Sequence, residues 1–134
     1  IMLSEYFKGQ DYARIEVIPR ETRARLAEIV AGEAARVLGI PTPRVRFFSA
    51  SYRGESVKAY LRGDGEIHVN HSQSDADVFA AIIHEARHIW QSESPEWRDR
   101  SETLREQDAR LFELAWPRRS DIDGDNFRKL LASY

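Results

Sequence analysis

The first clear pattern of apolar positions spans residues 20–38 and has the spacing of an amphipathic helix. Pro19 precedes it, and proline suits the first turn because its missing N–H makes no helical bond there. Gly39 follows the last apolar pair, and Pro41 and Pro43 prevent the helix from resuming. We therefore expect a single helix over 20–38. Its apolar positions are Leu26, Ile29, Val30, Ala34, Val37 and Leu38.

Three short runs that follow have the composition and alternation of strands, at residues 45–48, 56–61 and 65–70. Gly63-Asp64-Gly65 separates the last two runs and is typical of a tight hairpin, so these two strands are expected to be antiparallel. As an edge strand, 65–70 could bind an extended peptide by main-chain pairing. An alternating, half-buried strand with His68 facing solvent explains the same pattern equally well.

Helical spacing of apolar residues returns after the third strand. Ser74 or Asp75 can cap a helix that runs to about residue 91. Pro95 is expected to open the next helix, which ends before Pro117, and a short helix to Leu131 follows a polar break. This order of elements predicts an α+β domain with a small, mainly antiparallel sheet.

The length of 134 residues fits one domain of ordinary size, residues 1–134. The patterns place its core at about 20–117 and leave 1–18 and 118–134 as segments that could cover a cleft. No stretch approaches the roughly 18 apolar residues of a membrane-spanning helix. The start of the chain has no signal-peptide pattern, so a cytoplasmic location is expected.

Composition excludes several classes of function. The chain contains no cysteine, which excludes a disulfide scaffold, a thiolate zinc ribbon and a cysteine nucleophile. Its formal net charge of −2 argues against a protein built to bind nucleic acid. A zinc site would have to be built from carboxylates and from the four histidines of the chain.

Two of these histidines, His84 and His88, stand four residues apart, and Glu85 directly follows the first, in an HExxH sequence. Residues at i and i+4 lie on one face of a helix, so both rings can reach a single cation. Glu85 points to the side of the pair, close enough to act on a metal-bound water. At about 100° per residue, both histidines lie opposite the apolar stripe of this helix. That placement favours a metal site over a pair of ordinary surface histidines.

A catalytic zinc site needs a third protein ligand and an open position for water. Gln91 and Ser94 stand where a metzincin has glycine and histidine, which excludes that branch of zinc enzymes. His68 and His71 lie before the motif and are possible third ligands.

A carboxylate on the following helix is the commoner third ligand, and the candidates there are Glu102, Glu106 and Asp108. Helix phase places Asp108 inside the expected apolar arc, as a buried or supporting carboxylate. Phase does not choose between Glu102 and Glu106. The expected arc consists of Leu104, Leu111, Phe112 and Ala115.

Two segments resemble the ImmA/IrrE-type gluzincins and the compact minigluzincin metallopeptidases. Residues 82–90, IIHEARHIW, contain the HExxH sequence. Residues 106–112, EQDARLF, are similar to the Glu-x-x-Ala…Phe signature of the family's glutamate helix. The run IHVN at 67–70 stands where the family has a strand before the active-site helix. The resemblance covers about residues 20–117 and implies a zincin-like fold.

This resemblance also implies roles for individual residues. His84 and His88 match the two histidine ligands, Glu106 matches the third ligand, and Glu85 matches the general base. Arg110 stands where the family often has a small polar residue. Because this change alters the surroundings of the third ligand, Glu102 stays an alternative.

The function implied is that of a zinc-dependent metallopeptidase, with Zn²⁺ as cofactor. Glu85 would act as general base while a zinc-activated water attacks the peptide bond. The expected partner is a protein or peptide substrate, with no nucleic acid and no membrane. The oxyanion donor stays open among His68, His71, Arg110 and the tyrosines. The alternative is an inactive or latent zincin-like domain with a regulatory or phage-associated binding role. No pattern indicates a particular substrate or oligomeric state.

Overall fold

The computed structural model describes residues 20–48 and 57–116. In these ranges one helix is followed by three strands and two further helices, which confirms the α+β class. None of the helices in these ranges is long and apolar enough to cross a membrane. The elements are α1 (Arg20–Leu38), β1 (Val45–Phe48), β2 (Ala59–Leu61), β3 (Ile67–Asn70), α2 (Asp75–Glu93) and α3 (Glu102–Ala115).

Helix α1 has the bounds that its apolar spacing predicts. It ends at Gly39, whose φ of 69° lies in the left-handed region that glycine adopts without strain. The Ile40 N–H then donates to the Ala35 carbonyl at 3.0 Å, the long bond of a Schellman cap. Ile29 is 37% exposed, although the pattern groups it with the core residues. The buried apolar residues of α1 are Leu26, Ala27, Val30, Ala31, Ala34 and Ala35.

The sheet is mixed and has the order β1-β3-β2. β3 pairs antiparallel with β2, as the hairpin predicts, but parallel with β1. The expected mainly antiparallel sheet is therefore wrong, because a tight turn fixes only the two strands that it joins. An edge position for β3 is also wrong: Ile67 and Val69 are fully buried, and β3 lies between β1 and β2.

Strands β2 and β3 are shorter than the runs that predicted them. β2 covers Ala59–Leu61 instead of 56–61, and β3 covers Ile67–Asn70 instead of 65–70. The difference in β3 comes from the turn, where Gly65 has a φ of 85° and donates to the Arg62 carbonyl at 2.9 Å. Residue 56, the short helix to Leu131, and the segments 1–18 and 118–134 lie outside the described residues.

The start of α2 is fixed from two sides. Ser74 caps it, as expected, by accepting a hydrogen bond from the Asp77 N–H at 3.2 Å. Arg23 of α1 is buried and pairs with Asp75, which is fully buried in the first turn of α2. The same guanidinium donates to the His71 carbonyl at 2.7 Å. These contacts fix the position of α2 relative to α1 and to the end of β3.

Helix α3 begins at Glu102, later than the start expected at Pro95. Residues 95–100 instead form turns, in which Trp97 N–H donates to the Ser94 carbonyl at 3.0 Å. Ser101 caps α3 by accepting from the Leu104 N–H at 3.3 Å. Proline is compatible with a first helical turn but does not form one, whereas a serine cap satisfies a free N–H.

The core lies between α1, one face of the sheet and one face of α2. Phe112 of α3 and Trp116 after it also reach this core, and their ring centroids are 5.8 Å apart. The core residues of the sheet and of α2 are Val45, Ile67, Val69, Ala76, Val78, Phe79, Ile82, Ile83 and Ala86.

The face by which α3 packs is narrower than predicted. Phe112 is buried as expected, but Leu104 and Leu111 are 46% and 66% exposed, and Ala115 is also exposed. Three of the four residues of the expected arc are therefore exposed, because the contact side of α3 is displaced from that arc towards the fully buried Ala109. Phe112 and the partly buried Asp108 belong to both. Because α2 presents polar groups to the contact side of α3, the helical spacing of apolar residues in α3 does not locate that side accurately.

Candidate metal centre

Helix α2 places the HExxH residues on the side that faces α3. His84, Glu85 and His88 are all partly buried, and each offers a ligand atom within 4.8 Å of the others. The apolar side chains on the opposite side of α2 hold the helix against the core. The spacing of four residues therefore brings both rings to one point, as the sequence predicts.

Glu106 of α3 completes the cluster. Its Oε1 lies 2.7 Å from His88 Nε2, and its Oε2 lies 3.2 Å from His84 Nε2. The two Nε2 atoms are themselves 3.2 Å apart. Glu102, the alternative that helix phase left open, lines the cavity beside His88 one turn earlier. Of the candidate carboxylates, Glu106 is the one that contacts both imidazoles.

His84 is oriented by a second carboxylate of α3. Its Nδ1 lies 3.0 Å from Glu113 Oε1, and because a carboxylate only accepts, the ring nitrogen donates. Burial alone would lower the pKa of His84, but the hydrogen bond to Glu113 and the charges of Glu85 and Glu106 outweigh it. The net result is a pKa raised above the ordinary value.

His88 is oriented by Gln91, one turn further along α2. Gln91 is 1% exposed, and its Oε1 lies 2.8 Å from His88 Nδ1. Its Nε2 donates to Asp108 Oδ2 and to the Arg105 carbonyl, each at 2.8 Å. Nδ1 of His84 thus faces Glu113 on α3, and Nδ1 of His88 faces the buried Gln91. Nε2 of both rings faces Glu106.

Asp108 supports this arrangement rather than joining the cluster, in line with its expected role. Arg87 donates to both of its carboxylate oxygens, at 2.7 and 3.1 Å. Burial raises the pKa of Asp108, but the hydrogen bonds from Arg87 and Gln91 outweigh burial and hold this pKa below its usual value. The Arg87 guanidinium also stacks over Trp90 at 3.9 Å and over Phe112 at 4.9 Å. The same residues therefore join α2 to α3.

Glu85 is the group with the chemistry of a proton carrier. Its pKa is raised, mainly because burial disfavours the carboxylate; the two neighbouring histidines lower it and Glu106 raises it further. Glu85 lines a cavity of about 340 Å³ on the His84 side of the cluster. A carboxyl with a raised pKa beside an open cavity is suited to exchange protons with a bound molecule.

A second cavity, of about 530 Å³, lies on the His88 side. Glu106 borders both cavities, and we call the two cavities together the groove. Strand β2 follows the groove: Ala59 lines the first cavity and Leu61 lines the second. Within residues 20–48 and 57–116, no strand pairs with the outer edge of β2.

The hydrogen-bond pattern shows which groups occupy that edge. Lys58 accepts from the Asn70 N–H, and Arg62 donates to the Glu66 carbonyl, both at 2.9 Å. In an antiparallel pair such residues alternate with those whose main-chain groups point away. Ala59 and Leu61 therefore direct their N–H and C=O groups to the outer edge of β2.

Several residues considered from the sequence lie elsewhere or hold other partners. His68 stacks on Tyr60 at 5.0 Å and contacts Glu66 Oε1 at 3.2 Å. His71 contributes its carbonyl to Arg23. Arg110 is exposed and lines the cavity that contains Glu85, so it stays a candidate donor to a bound oxyanion.

Gln91 and Glu113 are the two site residues that sequence reasoning missed. A signal for Gln91 is its position three residues after His88, which places it on the same side of α2. A signal for Glu113 is its position seven residues after Glu106, two turns along the same side of α3. Neither spacing belongs to the HExxH pattern.

The cluster fits the requirements of a zinc site. Ligand atoms of tetrahedral zinc, each about 2.0–2.1 Å from the ion, stand about 3.3 Å apart. The separations of 3.2 Å between the two Nε2 atoms and 3.2 Å between His84 Nε2 and Glu106 Oε2 are close to that value. The 2.7 Å between His88 Nε2 and Glu106 Oε1 is shorter and is a hydrogen-bond distance. Two imidazole nitrogens and a carboxylate are also a ligand set that zinc prefers.

The chain was compared with known proteins at the level of sequence and of structure. Comparisons with models of protein families, with curated proteins and with solved structures found no match. The function is therefore argued from the residues of this chain.

Proposed function

We propose that this protein is a zinc-dependent metallopeptidase of the gluzincin type. His84, His88 and Glu106 hold the zinc ion, and Glu85 is the general base. One observation carries the proposal: two imidazole Nε2 atoms and the Glu106 carboxylate converge within 2.7–3.2 Å, beside a carboxyl of raised pKa. The resemblance to the ImmA/IrrE-type gluzincins, carried by the two helical motifs, agrees with it.

Zinc, when bound, supplies a lowered pKa for a water molecule and polarises a substrate carbonyl. Glu85 takes the proton from the attacking water and then delivers it to the leaving amine. Its raised pKa favours the first step, because a carboxylate of higher pKa takes up a proton more readily. Arg110, exposed at the same cavity, offers a positive charge to the developing oxyanion.

The groove supports a peptide as the substrate. An extended chain that lies along β2 can pair with the main-chain groups of Ala59 and Leu61, because these face the outer edge, with which no strand of residues 20–48 and 57–116 pairs. Main-chain pairing is independent of the substrate's side chains. It would carry a peptide bond past the cluster, since Ala59 and Leu61 line the cavities on its two sides.

The alternative function is a zincin-like binding domain without activity. Glu85 argues against it, because a purely structural metal site needs no base next to its ligands. The two functions differ in whether peptide hydrolysis accompanies metal binding.

The first experiment measures zinc in the purified protein and its dissociation constant by competition with a chelator. We expect about one zinc ion per chain, and loss of binding in His84→Ala. Glu106→Gln should weaken binding by more than about a hundredfold, the upper range for residues that only support ligands. Glu102→Gln is the matched control, one turn away on the same helix, and should bind as the wild type does.

The second experiment measures hydrolysis of a mixed peptide library by mass spectrometry, with and without zinc. Zinc-dependent cleavage that is lost in His84→Ala supports the peptidase. Stoichiometric zinc without any cleavage would support the binding domain instead, and absence of zinc binding would overturn the peptidase.

A further inference from the structure

The most buried polar side chain near the cluster is Gln91, and all of its hydrogen-bonding atoms are engaged. It is 1% exposed. Its Oε1 lies 2.8 Å from His88 Nδ1, and its Nε2 lies 2.8 Å from the Arg105 carbonyl and 2.8 Å from Asp108 Oδ2. This residue therefore links a proposed ligand on α2 to the backbone and to a carboxylate on α3.

The chemistry of these partners allows one orientation of the amide. A carbonyl and a carboxylate oxygen can only accept, so the NH₂ group of Gln91 must face Arg105 and Asp108. Its carbonyl oxygen must then face His88. Because that oxygen can only accept, His88 Nδ1 must carry the hydrogen, and Nε2 is left to face Glu106 with its lone pair.

Asp108 is held in turn, so the orientation cannot reverse by a movement of that carboxylate. Arg87 binds both Asp108 oxygens, at 2.7 and 3.1 Å, and its guanidinium stacks on Trp90 and Phe112. The direction of the His88 hydrogen bond is therefore set by the packing of α2 on α3.

The alternative is a His88 ring that carries its hydrogen on Nε2. Glu106 Oε1 lies 2.7 Å from His88 Nε2, which is an ideal distance for an Nε2–H donor. In a neutral His88 free to choose, the ring hydrogen would occupy Nε2 and bond to Glu106. That hydrogen would stand in the position that a metal ion needs.

We propose that Gln91 is a positioning residue that fixes His88 in the Nδ1–H tautomer and so keeps its Nε2 lone pair available to a cation. Asp108 acts through Gln91. The identity of the cation as zinc rests on the proposed function, whereas the tautomer is a property of the metal-free protein. His84 differs, because its Nδ1 partner, Glu113, is a 26% exposed carboxylate with a freer side chain.

The main experiment is nitrogen-15 NMR of the histidine rings in the metal-free full chain, at a pH well above the usual imidazole pKa of about 6.5. Wild-type His88 is expected as the Nδ1–H tautomer. In Gln91→Met, which keeps the length but makes no hydrogen bonds, His88 should change to the Nε2–H tautomer. Gln107→Met, the same substitution at an exposed position of α3, should leave His88 unchanged.

Zinc affinity gives the second measurement. Gln91→Met should raise the zinc dissociation constant by about 10–100-fold, the usual effect of losing the partner of a ligating histidine. Gln107→Met should raise it less than about twofold. A thermal melt of each variant reports whether the protein is folded.

A conservative variant separates positioning from simple loss of packing. Gln91→Glu keeps the chain length and an oxygen that accepts from His88 Nδ1–H, but it removes the NH₂ group that donates to the Arg105 carbonyl and to Asp108. We expect His88 to keep the Nδ1–H tautomer in Gln91→Glu and to lose it in Gln91→Met. An Nε2–H tautomer in Gln91→Glu would overturn the proposal, which keeps the test usable if Gln91→Met does not fold.

The results that overturn the proposal are distinct from those that overturn the peptidase. An Nε2–H tautomer in wild-type His88, an unchanged tautomer in folded Gln91→Met, or unchanged zinc affinity there would each overturn it. Wild-type protein that shows the Nδ1–H tautomer but binds no zinc would instead contradict the proposed function alone.

Discussion

The two faces of α2 are built on different principles. One face carries Val78, Phe79, Ile82, Ile83 and Ala86, each at most 2% exposed, and packs against α1 and the sheet. The opposite face meets α3 and carries His84, Glu85, Arg87, His88 and Gln91. Four of these side chains, those of His84, Arg87, His88 and Gln91, form a hydrogen bond or ion pair with a residue of α3.

This difference separates stability from geometry on a single helix. Apolar burial is non-directional and scales with the area removed from water, so the first face sets how firmly α2 is held. Hydrogen bonds and ion pairs contribute little net stability, but each fixes a direction. We therefore expect substitutions on the apolar face to change unfolding, and substitutions on the polar face to change chemistry.

The largest effect is expected from Glu85→Gln on the polar face. The rate of peptide hydrolysis should fall by about 10²–10⁴, because the amide cannot accept a proton from water. The free energy of unfolding should change by less than about 1 kcal/mol. Steady-state kinetics and urea denaturation measure the two quantities, and the zinc content is the control. An unchanged rate would remove Glu85 from the mechanism.

Ile82→Ala tests the apolar face. Ile82 is fully buried, so its truncation should lower the free energy of unfolding by about 2–5 kcal/mol. Ile29→Ala on α1 is the matched control, because Ile29 is 37% exposed and should cost less than about 1 kcal/mol. Urea denaturation followed by circular dichroism measures both, and equal losses would contradict this account of the core.

Asp108→Asn tests whether the polar face also contributes to stability. We expect a loss of about 1–2 kcal/mol at pH 7, because the charged bonds to Arg87 are weakened. The pKa of Asp108 is lowered in the folded protein. Its contribution is therefore full above the unfolded pKa of about 3.9 and disappears as the pH falls through the lower folded value.

Urea denaturation of metal-free protein at several pH values measures that dependence. The curves of wild type and variant should differ most near neutral pH and converge in acid. Asp99→Asn, at an exposed aspartate before α3, should follow the wild type throughout. A difference that grows in acid would contradict the lowered pKa.

The smallest effect is expected from Leu111→Ala on the outer side of α3. Leu111 is 66% exposed, so the free energy of unfolding should change by less than about 0.5 kcal/mol. The same denaturation assay applies. A loss above about 2 kcal/mol would mean that this side chain is covered, as the sequence pattern first suggested.

Local signals predicted much of the fold. Gly39 ended α1 at the expected residue, and Ser74 capped α2. Local signals could not predict the central position of β3. The alternation of apolar and polar residues shows which face of a strand is buried, but not which strands lie on either side of it. The start of α3 was misplaced since Pro95 is only compatible with a helix, while Ser101 caps one.

The candidate site divides in the same way. The spacing of His84 and His88 indicated that their rings converge, because four residues make about one helical turn. The resemblance, and not helix phase, selected Glu106 over Glu102; the contacts of Glu106 with both rings agree with that choice. Gln91 and Glu113 were missed because their role depends on how α3 packs on α2, which no local pattern contains.

The third proposed ligand, Glu106, belongs to a helix that buries few of its own residues. Of the residues in α3, only Ala109 and Phe112 are buried. A cation shared by His84, His88 and Glu106 would act as a cross-link between two segments joined by the turns at 94–101. At a concentration one hundred times its dissociation constant, it would oppose local opening of α3 by about 2.7 kcal/mol. Amide hydrogen exchange in α3 would then slow on metal addition, while exchange in α1 would not, so that a bound ion would also set how long its own site stays assembled.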